Sequence, residues 1–167
     1  MKKIFFTAMG VILFFTACTS GNQPAQVDLA AAKNAVNSLL DKYNSALKAK
    51  DMETVLNLMT DDGLYCGTDA KEVMNKMQVG EMMKQTMQDS SFIVDYTVDK
   101  REILVSPDGN SAVAIEQMIF KPFSAKMPIR MVYHLIREGD NWHFNFLCWN
   151  FIPNNDDLPK INEALKQ

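Results

Sequence analysis

The sequence has few of the residues that mark nucleic-acid-binding and metal-binding proteins. It carries 17 Lys+Arg against 20 Asp+Glu and contains no basic run. Because phosphate neutralisation dominates binding to nucleic acid, this composition argues against a nucleic-acid partner. The two histidines, His134 and His143, show no ligand spacing such as His-x-His. We therefore predict neither a metal site nor a cofactor.

The chain also lacks a hydrophobic run long enough to span a membrane. Its main apolar stretch, residues 4–15, falls short of the roughly 20 residues that a transmembrane helix needs. With Lys2 and Lys3 before it and Cys18 after it, this stretch resembles a bacterial lipoprotein signal. The resemblance implies that residues 1–17 are removed as a signal peptide and that Cys18 carries the lipid. It implies a protein of the bacterial cell envelope, anchored to a membrane, with its domain facing the periplasm or the exterior.

The rest of the chain fits one domain behind a short tether. Residues 18–26 are small and polar, which is typical of a flexible linker. Residues 27–167 number 141, close to the commonest size of a domain. Loss of Lys2 and Lys3 with the signal leaves 15 basic and 20 acidic residues, a net charge of −5. The predicted membrane contact is therefore the lipid and not a basic surface.

Hydrophobic periodicity predicts two helices at the start of the domain. Apolar residues at three- and four-residue steps predict a long amphipathic helix over residues 28–49. Asp51 is placed to cap a second, short helix. The turn-forming triplet Asp61-Asp62-Gly63 is expected to end that helix.

A short strand over residues 64–66 and a third helix are predicted next. Asp69 and Glu72 have capping-box spacing, which predicts that the third helix starts there, is interrupted near Gly80 and ends before Phe92. Methionines at helical spacing indicate core packing, or an adaptable lining for an apolar ligand, rather than a soft-metal site. They are Met74, Met77, Met82, Met83 and Met87.

Alternation of apolar and polar residues predicts strands in the second half. The predicted strands cover residues 94–105 with a bulge near Lys100-Arg101, then 112–120, 129–137 and 142–151, and an amphipathic turn covers 158–165. Helices followed by an antiparallel meander indicate an α+β fold, with the helices covering one face of a curved sheet.

Three local patterns accompany this order of elements. Residues 44–51 read Asn-Ser-Ala-Leu-Lys-Ala-Lys-Asp, residues 67–72 read Gly-Thr-Asp-Ala-Lys-Glu, and Trp142 lies seven residues before Trp149. Together with the element order, these patterns resemble the SnoaL-like branch of the nuclear-transport-factor-2-like superfamily, from residue 27 to about residue 153. The resemblance implies a cone-shaped, cystatin-like roll with a mainly antiparallel sheet, whose interior is a pocket between helices and sheet.

The register of the last hairpin predicts which residues line that pocket. If Glu138 faces Asn141 across the turn, alternate residues of the two strands share a face, and one extra loop residue would invert the assignment. The more apolar face is expected to point toward the helices. The predicted ligand-binding residues are Tyr65, Met131, Tyr133, Phe144, Phe146, Cys148 and Asn150. The predicted outer set is His134, His143, Leu147 and Trp149.

Two functional classes for the pocket remain open. We favour a module of unassigned activity that binds a small, largely apolar ligand without catalysis, because no acid–base pair converges in the sequence. The resemblance also implies isomerase, dehydratase or cyclase chemistry, which would need an interior carboxylate and a tyrosine. The candidates for that role are Asp69, Glu116, Tyr65, Tyr96 and Tyr133. The non-catalytic interpretations are a helix cap for Asp69 and a solvent-facing strand position for Glu116.

A third class is a protein-interaction module. Leu147 and Trp149 on the predicted outer face suggest a homodimer formed sheet to sheet, or a surface covered by the C-terminal segment 158–165. Cys66 and Cys148 are compatible with a disulfide in an oxidising envelope, with ligand binding, or with two buried thiols. The sequence does not give the separation of the two cysteines, so all three remain open.

Overall fold

The computed structural model describes residues 27–166. The predicted signal peptide of residues 1–17, the lipidation site Cys18 and the tether up to residue 26 lie outside the described residues. The helices are α1 (Leu29–Lys48), α2 (Met52–Asn57), α3 (Lys76–Gln88) and α4 (Leu158–Ala164). The strands are β1 (Met59–Cys66), β2 (Val73–Asn75), β3 (Val98–Val105), β4 (Ser111–Met118), β5 (Ile129–Glu138) and β6 (Asn141–Phe151).

Local signals explain α1 and α2, and both helices confirm the prediction. The Asp28 carboxylate accepts a hydrogen bond from the Ala31 amide at 2.9 Å and caps α1. Asp51 caps α2 by accepting from the Thr54 amide at 3.0 Å. Six of the eight buried residues of α1 follow the predicted three- and four-residue steps: Ala32, Val36, Leu39, Leu40, Tyr43 and Leu47.

The six strands form one sheet in the order β2-β1-β6-β5-β4-β3. β1 runs parallel to β6, and the other neighbouring pairs of described strands are antiparallel. α1 contacts β3 and β6, and α3 contacts β1, so these helices cover one face of the sheet. The chain therefore has the predicted α+β architecture, with helices packed on a mixed, mainly antiparallel sheet.

The start of α3 differs from the prediction. Asp69 and Glu72 lie in the turn between β1 and β2, and α3 begins after Asn75, which forms a capping box with Gln78. α3 then continues through Gly80 without a break. Residues 69–72 and residues 75–78 both have capping chemistry. The residues directly after Glu72 pair with β1 as a strand, so a helix cannot start there.

Two strand boundaries also differ. β1 begins at Met59, so the triplet Asp61-Asp62-Gly63 lies inside a strand instead of ending a helix. Val94 and Tyr96 are buried but precede β3, which begins at Val98. The predicted bulge is confirmed, because the register of β3 against β4 shifts between Val98 and Lys100.

A bulge in β6 changes which residues face the core. The predicted pairing holds from Glu138–Asn141 to Leu135–Phe144, after which His134 pairs with Phe146 and Asn145 has no partner. Successive strand residues point to opposite faces of the sheet. This one extra residue therefore moves every later residue of β6 to the face opposite the predicted one. The predicted interior positions of Phe146, Cys148 and Asn150 are therefore wrong, as are the predicted outer positions of Leu147 and Trp149. Leu147 and Trp149 are buried, at 1% and 6% exposure.

Candidate functional site

A polar cluster lies at the centre of the core around Glu116, whose side chain has no exposed surface. Its Oε1 accepts hydrogen bonds from Arg101 Nε at 2.7 Å and from Asn44 Nδ2 at 3.0 Å, and its Oε2 accepts from the Tyr133 hydroxyl at 2.7 Å. The solvent-facing interpretation of Glu116 is therefore wrong. Both carboxylate oxygens are occupied by protein donors, as a buried charge requires.

The cluster is held from the helix side as well. The Asp41 carboxylate lies 2.7 Å from Arg101 Nη1, and the Tyr96 hydroxyl donates to Asn44 Oδ1 at 2.6 Å. Burial lowers the pKa of Arg101, but the hydrogen bonds and charges of Asp41 and Glu116 outweigh it and raise that pKa above its ordinary value. The guanidinium is therefore a permanent cation paired with both carboxylates.

The tyrosines of this cluster are held as neutral donors. Burial raises the pKa of Tyr133 well above its ordinary value, and the negative charge of Glu116 raises it further. The same two causes, in the same order, raise the pKa of Tyr96. Since their hydroxyls already donate to Glu116 and Asn44, this cluster offers neither a free base nor a free donor.

A cavity of about 200 Å³ lies elsewhere, between α3, β1 and the segment that follows β4. One wall is aromatic: Phe120 packs against Trp149 with ring centroids 5.1 Å apart and against Phe123 at 4.9 Å. The wall formed by α3 carries thioether side chains, contributed by Met82, Met83 and Met87. These side chains give an adaptable apolar lining, as predicted for these three. The prediction is wrong for Met77, which is 69% exposed, and Met74 lies in β2 instead of a helix.

The remaining wall of the cavity is polar and comes from β1 and the turn after it. It contains Tyr65, Thr68 and Glu72. Burial raises the pKa of Tyr65, and the nearby charge of Glu72 is the next largest cause, so the hydroxyl is a neutral donor beside a carboxylate. Gly67 allows this arrangement, because a Cβ there would lie 1.9 Å from Glu72 Oε2.

The predicted site residues separate into three groups. Tyr65 lines the cavity. Met131, Tyr133 and Phe144 face the interior as predicted but are fully packed, with no exposed surface. The other three, Phe146, Cys148 and Asn150, lie on the opposite face of the sheet. The first two groups show that the helix-facing side of the sheet holds a closed core at one place and a cavity at another.

Sequence reasoning missed most of the cavity. Trp149 was assigned to the wrong face because of the β6 bulge. Phe120 was predicted to end a strand and Phe123 carried no periodic signal, whereas both lie in the irregular segment after β4. Glu72 was recognised only as a cap. Asp69, the other carboxylate of that pattern, is exposed and accepts a hydrogen bond from the Lys71 amide at 2.8 Å, which is a structural role in the turn.

The outer face of the sheet is apolar at its centre. The register aligns two rows across β3, β4, β5, β6 and β1. Their apolar members, here named the outer patch, are Leu64, Leu104, Val113, Ile115, Val132 and Phe146. Leu104, Val113 and Leu64 are 74%, 45% and 42% exposed. Both histidines also lie on this face, as predicted.

Residues 27–166 contain no group of three or more His, Cys, Asp or Glu side chains placed to hold a metal ion. They also contain no helix long and apolar enough to cross a membrane.

The fold and the cavity define a class of α+β proteins with a small space between helices and sheet. The sequence profile of the SnoaL-like domain family matches residues 36–146, and the chain belongs to that family. No curated protein matches the chain in sequence.

Solved structures share this fold at low sequence identity. An NTF2-like protein of unknown function from Pseudomonas putida superimposes with a TM-score of 0.66 at 14% identity, covering 76% of this chain and 91% of that one. A cystatin-like fold protein from Burkholderia xenovorans gives 0.61 at 14%, covering 74% and 94%. A ketosteroid isomerase-like protein from Erwinia carotovora atroseptica gives 0.56 at 15%, covering 73% and 97%. At such identities the similarity shows the fold alone.

Proposed function

We propose that the protein binds a small, largely apolar ligand in the cavity between α3 and the sheet. The observation that carries the proposal is the preformed space of about 200 Å³ lined by methionine and aromatic side chains. An engineered apolar cavity of roughly 150 Å³ holds benzene, so this space suits one ring with a short substituent. A few polar groups at one end, as here, are typical of ligand sites because they orient the molecule.

Blocking the cavity tests this proposal. Thr86 lies at its edge on α3, and Thr86→Phe is expected to fill the space and weaken binding of a ring-sized ligand at least tenfold. Gln85→Phe is the matched control, since Gln85 is the neighbouring exposed residue of α3 and does not line the cavity. Native mass spectrometry of protein titrated with benzyl alcohol measures the effect. Equal binding by both variants would contradict the assigned site.

An isomerase-type or lyase-type reaction is the second candidate, and one observation favours it. The cavity holds a carboxylate and a tyrosine hydroxyl, Glu72 and Tyr65, which is the pair of groups needed for proton abstraction and enolate stabilisation. Of the carboxylates named from the sequence, Glu116 is paired with Tyr133 but lies in the closed core, and Asp69 is exposed, so neither lines the cavity. Deuterium exchange next to the carbonyl of an added cyclic ketone, lost in Glu72→Gln, would support catalysis, and its absence in the unmodified protein would count against it.

The lipid anchor is a proposal from the sequence alone. Lipidation of Cys18 after loss of residues 1–17 would hold the domain at a membrane of the cell envelope, with residues 18–26 as the tether. Incorporation of labelled palmitate that disappears in Cys18→Ser would support the anchor. Unlabelled protein in the soluble fraction would contradict it.

We also propose that the outer patch is the interface of a homodimer. The two rows of the outer patch cover only about 13 Å of strand and form the apolar centre of a larger face. That whole face, five strands spaced about 4.8 Å apart and about 26 Å long, presents roughly 600 Å² of sheet, or about 1,200 Å² for two copies. That area reaches the lower limit for a specific interface. α4 contacts mainly the short turn before it. These contacts do not support the alternative in which the C-terminal segment covers the outer patch.

Light scattering distinguishes the dimer from a monomer. Val113→Glu places a charge in the middle of the outer patch and is expected to weaken the dimer at least tenfold, because desolvating an unpaired charge is costly. Met77→Glu, at an exposed position of α3 on the helix side of the sheet, is the control. A monomer at high concentration for the unmodified protein would contradict the proposal.

A further inference from the structure

The cavity contains one charged group, and that group is negative. Glu72 lies on the polar wall, and no lysine, arginine or histidine of the described residues lines the space. Glu72 is half-buried, so its carboxylate is accessible both to water and to a molecule in the cavity. The sign of this charge therefore constrains what the cavity accepts.

Glu72 is only partly satisfied by the protein. Its Oε2 accepts a hydrogen bond from the Asp69 amide at 3.0 Å. Within residues 27–166 it belongs to no ion pair, although eight such pairs occur there. The neighbouring Tyr65 hydroxyl has no hydrogen-bond partner among those residues either. One carboxylate oxygen and one hydroxyl are thus left to a ligand.

The apolar walls suit the other end of such a ligand. Phe120, Phe123 and Trp149 line the same space, and both phenyl rings pack against Trp149 in T-shaped arrangements. Aromatic faces attract cations, whereas a ligand carboxylate or phosphate would meet the like charge of Glu72 with no basic side chain to offset it. The cavity therefore discriminates by charge sign as well as by size.

From this we infer that the ligand is a small organic cation, an ammonium group on an aromatic or branched aliphatic body, whose charged end pairs with Glu72. The inference rests on the proposed binding function and names the ligand class for that site. Hydrogen bonds to charged groups contribute roughly ten- to hundredfold in affinity, so a cation should outcompete a neutral molecule of the same shape.

Three probes of one size separate charge from shape. The full-length protein, labelled at its methionine methyl groups, is titrated with benzylammonium, benzyl alcohol and benzoate. The methyl shifts of Met82, Met83 and Met87 report on the cavity, and those of the closed-core Met118 and Met131 serve as internal references. We expect benzylammonium to bind at least tenfold more tightly than benzyl alcohol and benzoate to bind most weakly.

Two variants assign the preference to Glu72. Glu72→Gln retains an acceptor for the Asp69 amide and should abolish the advantage of benzylammonium, because it removes the charge, whereas benzyl alcohol should lose much less affinity. Glu53→Gln, which alters an exposed acidic residue of α2, should change neither probe. Tyr65→Phe gives a second measurement if Glu72→Gln does not fold, because it removes a hydrogen bond but not the charge. Tyr65→Phe should weaken the binding of benzylammonium and of benzyl alcohol to the same extent, so that the ratio of their two affinities is preserved.

The outcomes separate this inference from the proposed function. If benzyl alcohol shifts the cavity methionines but benzylammonium binds no more tightly, or if its advantage survives Glu72→Gln, the cation inference is wrong and the binding function stands. Tighter binding of benzoate also overturns the inference. If no probe shifts the cavity methionines, both proposals are overturned.

Discussion

Glu116→Ala is expected to lower the free energy of unfolding by about 3–5 kcal/mol, the usual cost of removing one partner from a buried ion pair. The substitution would leave the guanidinium of Arg101 and the donors of Asn44 and Tyr133 facing an empty space in the core. Thermal unfolding followed by circular dichroism measures the effect. For a domain of this size the loss corresponds to a fall in Tm of roughly 10 °C or more.

Glu102→Ala is the matched control for this substitution. Glu102 lies next to Arg101 on β3, but its side chain is 61% exposed and its ion pair with Lys100 is long at 3.8 Å. Removing it should change stability by about 0.5 kcal/mol at most. Equal effects for Glu102→Ala and Glu116→Ala would contradict the buried cluster.

A double variant shows whether the loss comes from unpaired charge. Replacing Arg101 and Glu116 together by methionine removes the ion pair and fills much of its volume. It should be less destabilising than Glu116→Ala alone, because no buried charge is left unpaired. If the double variant loses as much stability as Arg101→Met and Glu116→Met lose together, the two side chains act independently.

The parts of the fold that the sequence predicts well are those determined by neighbouring residues. α1 and α2 were predicted because their caps, Asp28 and Asp51, and their apolar steps lie within the same segments. The first four pairs of the last hairpin were predicted because the turn sets them. Helix and hairpin signals of this kind need no knowledge of the rest of the chain.

The candidate site was harder to predict because it depends on contacts between distant segments. Glu116 pairs with Asn44, 72 residues away, and no local pattern shows that partner. The extra residue in β6, Asn145, has no distinctive side-chain signature, yet it decides that Trp149 faces the cavity and Cys148 faces outward. The methionines of α3 were the one part of the cavity that spacing indicated in advance.

The same bulge brings the two described cysteines together. Cys148 points to the outer face and pairs in register with Cys66 on the neighbouring parallel strand, and both thiols are free and half-buried. Adjacent strands lie about 4.8 Å apart, within the Cα separation of roughly 4.4–6.8 Å that a disulfide accepts. The interpretation of both cysteines as fully buried thiols is therefore wrong, and the disulfide interpretation is geometrically open.

Oxidation of Cys66 and Cys148 by a disulfide reagent such as oxidised glutathione is expected to join them and raise the free energy of unfolding by about 2–4 kcal/mol, because the bond closes a loop of about 80 residues. Burial, followed by the neighbouring Cys148, raises the pKa of Cys66. Since the thiolate is the attacking species, the reaction should be slower at neutral pH than for an ordinary cysteine and faster as pH rises. The product is measured by intact mass spectrometry under non-reducing conditions. The protein used carries Cys18→Ser, and the control carries Cys66→Ser in addition. Glutathione adducts that persist on both sulfurs, or a bond that leaves Tm unchanged, would show that strand spacing alone does not make this pair a stabilising disulfide.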